Sequence, residues 1–212
     1  MKKYFLLSIA MAIGMIANAQ LFSNKQIFNS PDLKKVTEKH QIIAILPIGT
    51  KLSYRSQIPY RIEGDENTDR INTGLATQSR FFSYILPKSG KMKIEIQDIE
   101  KTNLLLTRAG MDNRLDQYTK EEIAKALGVD AIVSGLYEKD TFISEDRSTT
   151  DSAAVIRHLS KTSISVRTAA TFTLYDGQSG KQLWRYYNFF TSTADQTDYL
   201  IDVAVRSFPY IK

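Results

Sequence analysis

The sequence predicts a single-domain α/β sandwich, in which a mixed β-sheet with a C-terminal antiparallel hairpin is packed by about four helices. Three observations predict this class. Residues 41–48 form a nearly continuous apolar run, typical of a strand buried on both faces. Residues 163–175 alternate strictly and lead through a D-G-Q-S-G turn into a second strand over 181–191, which indicates a hairpin. Apolar residues between these strands recur at helical spacing.

The elements of the first half follow in order from these patterns. Residues 51–62 alternate weakly and predict either a loop or an edge strand. Helical spacing predicts a helix over 66–86, which ends at a segment containing proline and glycine. The alternating run K-M-K-I-E-I-Q predicts a half-buried strand over 91–97. A leucine-rich helix over 99–109 follows and ends at a glycine.

The second half begins with a recognisable helix start. Thr119 and Glu122 have the spacing of a capping box, which predicts a helix over 120–127. A largely apolar strand is expected over 129–137. The polar stretch 140–162 is the longest irregular one, and long loops in compact domains are functional or mobile. After the hairpin, helical spacing predicts a last helix over 195–207.

The N-terminus has the three-part pattern of a secretory signal peptide. Lys2 and Lys3 precede an apolar run of about 13 residues, which is shorter than the roughly 20 that a membrane-spanning helix needs. The run ends in Ala17-Asn18-Ala19, a typical cleavage site. We therefore predict a signal peptide over 1–19, an N-terminal arm over 20–40 and an α/β domain over 41–212. The mature protein is expected in the periplasm or outside the cell.

Export changes the interpretation of the charge. The whole chain carries 28 Lys and Arg against 23 Asp and Glu, a formal charge of +5, and the signal peptide removes two of these cations. The small lysine clusters that remain lack interleaved aromatic residues, so no nucleic-acid platform is expected. A solvated basic face is the favoured interpretation, and peripheral contact with an anionic polymer or lipid headgroup is the alternative. No later segment is long and apolar enough for a membrane-spanning helix.

The residue types also limit the chemistry. The chain has no cysteine and only two histidines, His40 and His158, so thiol nucleophiles, iron–sulfur clusters and disulfides are excluded and little metal chemistry is expected. The sequence contains no glycine-rich phosphate loop, no G-x-S-x-G elbow and no S-x-x-K motif. We therefore predict a protein that is not an enzyme and binds no cofactor. An exported hydrolase with an unrecognised site is the alternative.

The C-terminal hairpin is the most suggestive feature for function. Its second strand carries aromatic rings at both alternating sets of positions, so one set packs on helices and the other either enters a second layer or faces a partner. Core packing is the favoured interpretation of these rings. If the hairpin does bind a partner, the residues predicted to form that surface are Arg167, Trp184, Tyr186 and Phe190. The loop 140–162 is expected beside them.

Three stretches resemble a known group of envelope proteins. The strand I-I-A-I-L-P-I, the helix–strand segment T-K-E-E-I-A-K-A-L-G-V-D-A-I-V-S-G, and the hairpin with its D-G-Q-S-G-K turn resemble the curli-secretion (CsgG-like) family and the amino-terminal domain of TolB. Lipoproteins that activate peptidoglycan synthases look similar in plan. The short lysine-led signal peptide and the Phe-Pro-Tyr near the C-terminus look similar to uncharacterised secreted proteins of Bacteroidetes-type bacteria.

The resemblance implies an envelope adaptor that binds another envelope protein or self-associates, in secretion or curli-like assembly. An oligomeric outer-membrane secretion-channel subunit is the alternative. The chain departs from the family in two respects. No lipidated cysteine follows the signal peptide. Neither 51–62 nor 140–162 contains a pair of alternating strands of the roughly 9–11 residues that cross a bilayer.

Overall fold

One open mixed sheet of seven strands forms the centre of the protein, and five α-helices pack against it, as the computed structural model shows for residues 24–56, 65–146 and 161–211. The predicted α/β class is confirmed. The strands are β1 (Gln26–Asn29), β2 (Ile42–Ile45), β3 (Gly49–Ser56), β4 (Glu95–Ile96), β5 (Ala131–Asp146), β6 (Lys161–Asp176) and β7 (Gln182–Ser192). The helices are α1 (Leu33–Thr37), α2 (Glu66–Ile85), α3 (Ile99–Arg108), α4 (Lys120–Leu127) and α5 (Thr197–Arg206).

The sheet combines a parallel and an antiparallel half. The strand order is β1-β7-β6-β5-β2-β4. One edge of β5 pairs with β2 over its first residues and with β3 over its later ones. β2 pairs parallel with β4 and β5, and β3 pairs parallel with β5. The pairs β5–β6, β6–β7 and β7–β1 are antiparallel. Because β5 has 16 residues, both β2 and β3 find room along one of its edges.

The segment predicted as a loop or edge strand over 51–62 overlaps β3. The β3 residues Gly49 to Ser56 pair in register with Leu136 to Ile143 of β5. The chain leaves β2 at Pro47, which has no backbone N–H for the ladder and therefore separates β2 from β3. Positions 57–64 lie outside the described residues. The edge-strand alternative is the one that the structure supports.

Strand β5 extends past the predicted end at residue 137. Residues 140–146, predicted as irregular, continue β5, and Lys161 already belongs to β6, so that part of the prediction is wrong. Polar residues predicted a loop here, but Ser53 and Arg55 of β3 hydrogen-bond to Asp140, and Thr141 pairs with Val166. These cross-strand contacts outweigh the polar composition. Residues 147–160 lie outside the described part of the chain.

The strand predicted over 91–97 is reduced to the two residues of β4. The helix α2 continues into a 3-10 segment, Leu86–Lys91, and the N–H of Met92 still donates to Ser89 in that turn. The backbone N–H groups of Glu95 and Gln97 donate to the carbonyl oxygens of Gln41 and Ile43, at and just before β2. The strand is shorter than its alternating pattern predicts because the 3-10 turn takes in the first residues of the predicted segment.

Helix α4 begins and ends as predicted. The Thr119 side chain accepts from the N–H of Glu122, and the Glu122 carboxylate accepts from the N–H of Thr119, which completes the capping box. Gly128 follows the helix with φ of 67°, a left-handed conformation that glycine adopts without a steric cost. This short helix therefore has fixed ends and directs the chain into β5.

The core has two layers, one on each face of the sheet. Helices α2 and α5 cover the first face, where Phe81 lies 4.5 Å from Phe172 and 5.9 Å from Phe208, between ring centres. Helices α3 and α4 cover part of the second face, where Leu106 and Ile123 pack with residues of β2 and β5. Strand β2 is buried on both sides, which confirms the prediction made from its continuous apolar run.

Segments far apart in the sequence meet at a buried histidine. His40 Nε2 lies 3.0 Å from a carboxylate oxygen of Asp176, and its Nδ1 lies 2.5 Å from the hydroxyl of Tyr210. The other oxygen of Asp176 accepts from the backbone N–H of Ser179 in the hairpin turn. Together with β1, which pairs with β7, these contacts join both ends of the described chain to the hairpin.

Candidate partner-binding surface

The second face of the sheet is covered at one end only. Helices α3 and α4 pack there over Ile132 and Tyr175, whereas side chains farther along β6 and β7, and those of β1, reach solvent. Phe28 is 47% exposed there, and Tyr187 and Phe189 are half-buried. A cluster of partly exposed rings on a sheet face is the kind of feature that marks an interaction site.

Strand register decides which side chains share this open face. Alternate residues of a strand point the same way, so Arg185, Tyr187 and Phe189 lie together along β7. Phe28 of β1 is directly opposite Arg185, and Arg167 of β6 is opposite Thr191. We call Phe28, Arg167, Arg185, Tyr187 and Phe189 the arginine–aromatic band.

Arg167 joins the rings of the band into one unit. Its guanidinium carbon lies 4.6 Å from the centre of the Phe189 ring, within the range of a cation–π contact. One guanidinium N–H donates to the Tyr187 hydroxyl at 3.3 Å, and the two rings are 6.1 Å apart between centres. The side chain therefore runs back along the strands from Thr191 towards Tyr187. These contacts fix the orientation of an exposed cation.

Shallow depressions lie on either side of this stacked group. The first, of about 370 Å³, is lined by Gln26, Ile27, Phe28, Arg185 and Tyr187. The second, of about 280 Å³, is lined by Arg55, Asp140, Phe142, Ser165, Arg167 and Thr191. Residues of the band thus line both depressions, Phe28, Arg185 and Tyr187 the first and Arg167 the second, and each depression is large enough for a side chain of a partner.

A network of polar groups borders the second depression. Arg55 forms an ion pair with Asp140, whose carboxylate also accepts from the Ser53 hydroxyl at 2.9 Å. The hydrogen bond from Arg55 lowers the pKa of Asp140; partial burial opposes this shift, and the bond from Ser53 adds to it. Asp140 is therefore ionised at neutral pH, and its carboxylate is fixed by hydrogen bonds from Ser53 and Arg55 of β3.

The structure separates the four residues that the sequence predicts as a partner surface. Arg167 is exposed on the open face. Trp184 and Tyr186 are fully buried on the opposite face, where the Trp184 ring lies edge-on to Phe208 at 5.5 Å. Phe190 shares that face and lies edge-on to Tyr199 of α5 at 5.0 Å. Trp184 and Tyr186 therefore form no contact surface here, and their core packing, the favoured interpretation, is confirmed.

Sequence reasoning missed Phe28, Arg185, Tyr187 and Phe189. Rings occur in both alternating sets of β7, so aromatic content alone could not decide which set faces solvent. The signal that decides it is Arg185, since a charged residue in one set assigns that set to the open face. Asn188, a polar residue of the other set, can be buried because its amide donates to the Tyr186 hydroxyl and accepts from the N–H of Phe189.

Two further properties concern the described residues as a whole. Within 24–56, 65–146 and 161–211, no group of three or more His, Asp or Glu side chains is arranged to hold a metal ion. None of the helices in the same ranges combines the length and apolarity needed to cross a membrane. The predicted signal peptide and His158 lie outside these ranges.

Comparison with known proteins gives distant structural likenesses. No protein-family model matches the chain, and no curated protein sequence is detectably similar to it. Among solved structures, the chain is similar to a PelC dodecamer from Paraburkholderia phytofirmans, with 14% identity over 90% of this chain and 100% of that chain and a TM-score of 0.41. It is also similar to lipoprotein GNA1162 from Neisseria meningitidis, with 16% identity over 77% and 92% of the two chains and a TM-score of 0.38.

A third likeness is to the C-terminal domain of LpoB from Escherichia coli, with 10% identity over 76% and 94% of the two chains and a TM-score of 0.32. The CsgG-like resemblance of the sequence remains a prediction. Because each of these three TM-scores is below 0.5, the likenesses assign neither a family nor a function to this chain.

Proposed function

We propose that this chain is an exported, non-enzymatic protein of the cell envelope that binds another envelope protein through the arginine–aromatic band. The signal-peptide pattern of residues 1–19 supports export. The composition of the band supports a protein partner, because Tyr, Phe, Trp and Arg are the residues enriched at the centres of protein interfaces.

The observation that carries the proposal is the contact of Arg167 with Phe189 and Tyr187 on the open face. A side chain ordered before binding loses less conformational entropy when a partner arrives. Rings on a sheet are also rigid, since the strands fix their backbone. The band is therefore a preformed contact area, with hollows on both sides that a partner can fill.

Site-specific photocrosslinking in cells that naturally produce the protein tests this function. A photoreactive phenylalanine analogue replaces Gln26, which lines the first depression next to Tyr187. The control carries the same analogue at Ser83, an exposed position on α2 at the helix-covered side of the sheet. We expect an adduct with a second envelope protein from position 26 and none from position 83.

The same adducts distinguish the alternatives. A ring-forming channel subunit would give adducts that contain only copies of this chain, and mass spectrometry identifies them directly. If position 26 gives no protein adduct, or gives the same adducts as position 83, the band is not the binding surface and the proposed function is wrong.

A further inference from the structure

The open face carries more positive than negative charge. Its described strand residues include four cations, Lys51, Arg55, Arg167 and Arg185, and two carboxylates, Glu138 and Asp140. Both carboxylates are already engaged by β3, since Lys51 lies 3.7 Å from Glu138 and Arg55 pairs with Asp140. Asp140 also lies directly opposite Arg167, and the positive charge of Arg167 contributes to the lowered pKa of Asp140. Four cations against two carboxylates still leave these strand residues with a net positive charge.

The two arginines of the band have no carboxylate within ion-pair distance among the described residues. Arg167 donates one N–H to the Tyr187 hydroxyl and stacks on Phe189. A guanidinium has five N–H donors, so most of those on Arg167 remain available, and its planar fork fits a carboxylate with two parallel hydrogen bonds. Arg185 is exposed on the other side of Tyr187. The ordered guanidinium of Arg167 and the exposed side chain of Arg185 thus lie on either side of Tyr187.

This arrangement has the spacing of an extended polypeptide. Arg185 and Tyr187 are two residues apart on a strand, roughly 7 Å, which is also the distance between side chains i and i+2 of an extended partner segment. Such a segment, lying across the band, can place a carboxylate at each arginine and an apolar side chain over Tyr187 or in the depression beside Phe28. Charged and aromatic side chains thus follow one another on the band at the spacing of the side chains on one face of an extended peptide.

We infer that the band recognises an acidic, extended segment of the partner protein, with carboxylates paired to Arg167 and Arg185 and an apolar residue between them. The inference rests on the proposed function, because it specifies the chemistry of the partner that binds at the band. Hydrogen bonds between charged groups are stronger than those between neutral ones, so loss of both arginines weakens binding more than tenfold.

The test is the crosslink from position 26 in the full-length protein, measured in three backgrounds. The first is the native sequence, the second is Arg167→Gln with Arg185→Gln, and the third is Lys91→Gln with Lys93→Gln. The third removes the same charge from exposed positions near the far edge of the sheet. We expect the adduct to fall at least tenfold in the second background, to stay unchanged in the third, and to contain a partner peptide rich in Asp or Glu.

The outcomes separate the two proposals. An adduct of equal yield in the arginine double variant, or a partner peptide without carboxylates, overturns the acidic segment and leaves the proposed function standing. No protein adduct in any background overturns both. A purified-protein competition completes the test: poly-L-glutamate should reduce the crosslink to the isolated partner, whereas competition by polygalacturonate alone would indicate an anionic glycan and overturn the inference. Thermal unfolding of each variant shows that the substitutions leave the fold intact.

Discussion

The guanidinium group of Arg167 lies over the ring of Phe189, one strand away, with its carbon 4.6 Å from the ring centre. An exposed cation–π contact of this kind contributes only about 0.5–1 kcal/mol to stability. Its greater effect is on order, because it fixes a long side chain that would otherwise sample many rotamers. We therefore expect the contact to affect binding of the proposed partner more than folding.

Removal of that contact should change binding and leave stability nearly unchanged. We expect Phe189→Ala to lower the free energy of unfolding by no more than about 1 kcal/mol, since the ring is partly exposed. The yield of the crosslink from position 26 should fall severalfold in the same variant, because Arg167 loses the surface that orients it. Urea unfolding and crosslink yield measure the two effects. A large loss of stability with normal crosslinking would contradict this assignment.

Trp184 and Phe28 provide the converse comparison. Trp184 is fully buried against Tyr186 and Phe208, so Trp184→Ala should destabilise the fold by about 3–5 kcal/mol. Phe28 is 47% exposed, and Phe28→Ala should change stability by no more than about 0.5 kcal/mol while reducing the crosslink. Equilibrium denaturation of both variants tests this. Equal effects on stability would mean that the strand faces are assigned incorrectly.

Close packing between α2 and the start of β3 gives a prediction at a glycine. A Cβ on Gly74 would lie 2.2 Å from the carbonyl oxygen of Ile48, and backbone cannot easily move there. We expect Gly74→Ala to destabilise by about 2 kcal/mol or more, although alanine favours a helix by about 1 kcal/mol. Gly90→Ala is the control, since nothing lies within 4 Å of its Cβ, and it should be nearly neutral in thermal unfolding. A neutral Gly74→Ala would show that the helix is more loosely packed.

The carboxylate of Asp176 should make stability depend on pH. Burial raises the pKa of Asp176, but hydrogen bonds from Ser179 and His40 outweigh burial and hold that pKa below its usual value. A carboxyl whose pKa is lower in the folded state stabilises the protein above the pKa of the unfolded chain, about 3.9, and this contribution is lost as the pH falls through the folded pKa.

The corresponding variant is Asp176→Asn, and we expect its free energy of unfolding to fall less than that of the native protein as the pH drops from about 5 to 3. At pH 7 the variant should be less stable, because His40 loses its ionised partner. Asp112→Asn, at an exposed loop position, is the control for removing one negative charge. If both variants follow the same pH curve, the carboxylate at Asp176 is not the group that matters.

The sequence predicts an element well where the residues of that segment alone determine it. The capping box at Thr119 and Glu122 located α4, and the continuous apolar run located β2. The predictions that were wrong involve partners distant in sequence. Residues 140–146 look like a loop until Ser53 and Arg55 of β3 are placed beside Asp140. No pattern within those seven residues contains that information.

The candidate surface could be predicted only in part for a related reason. The hairpin was predicted, and Arg167, one of the four residues predicted as a partner surface, is exposed on the open face. The choice between the two faces of β7 depends on which set of rings meets α5, and that is a tertiary relation between Trp184, Tyr186 and Phe208. Phe28 could not be predicted at all, because it reaches the band only when β1 pairs antiparallel with β7.

The most direct test of the central claim is hydroxyl-radical footprinting of the native protein in intact cells and after purification. Side-chain oxidation of Phe28, Tyr187 and Phe189 should be strong in the purified protein and clearly reduced in cells, where the proposed partner would cover the band. Tyr199, which is 53% exposed on the other side of the sheet, should be oxidised equally in both samples. Equal oxidation of the three band residues in cells and after purification would contradict a partner at this surface.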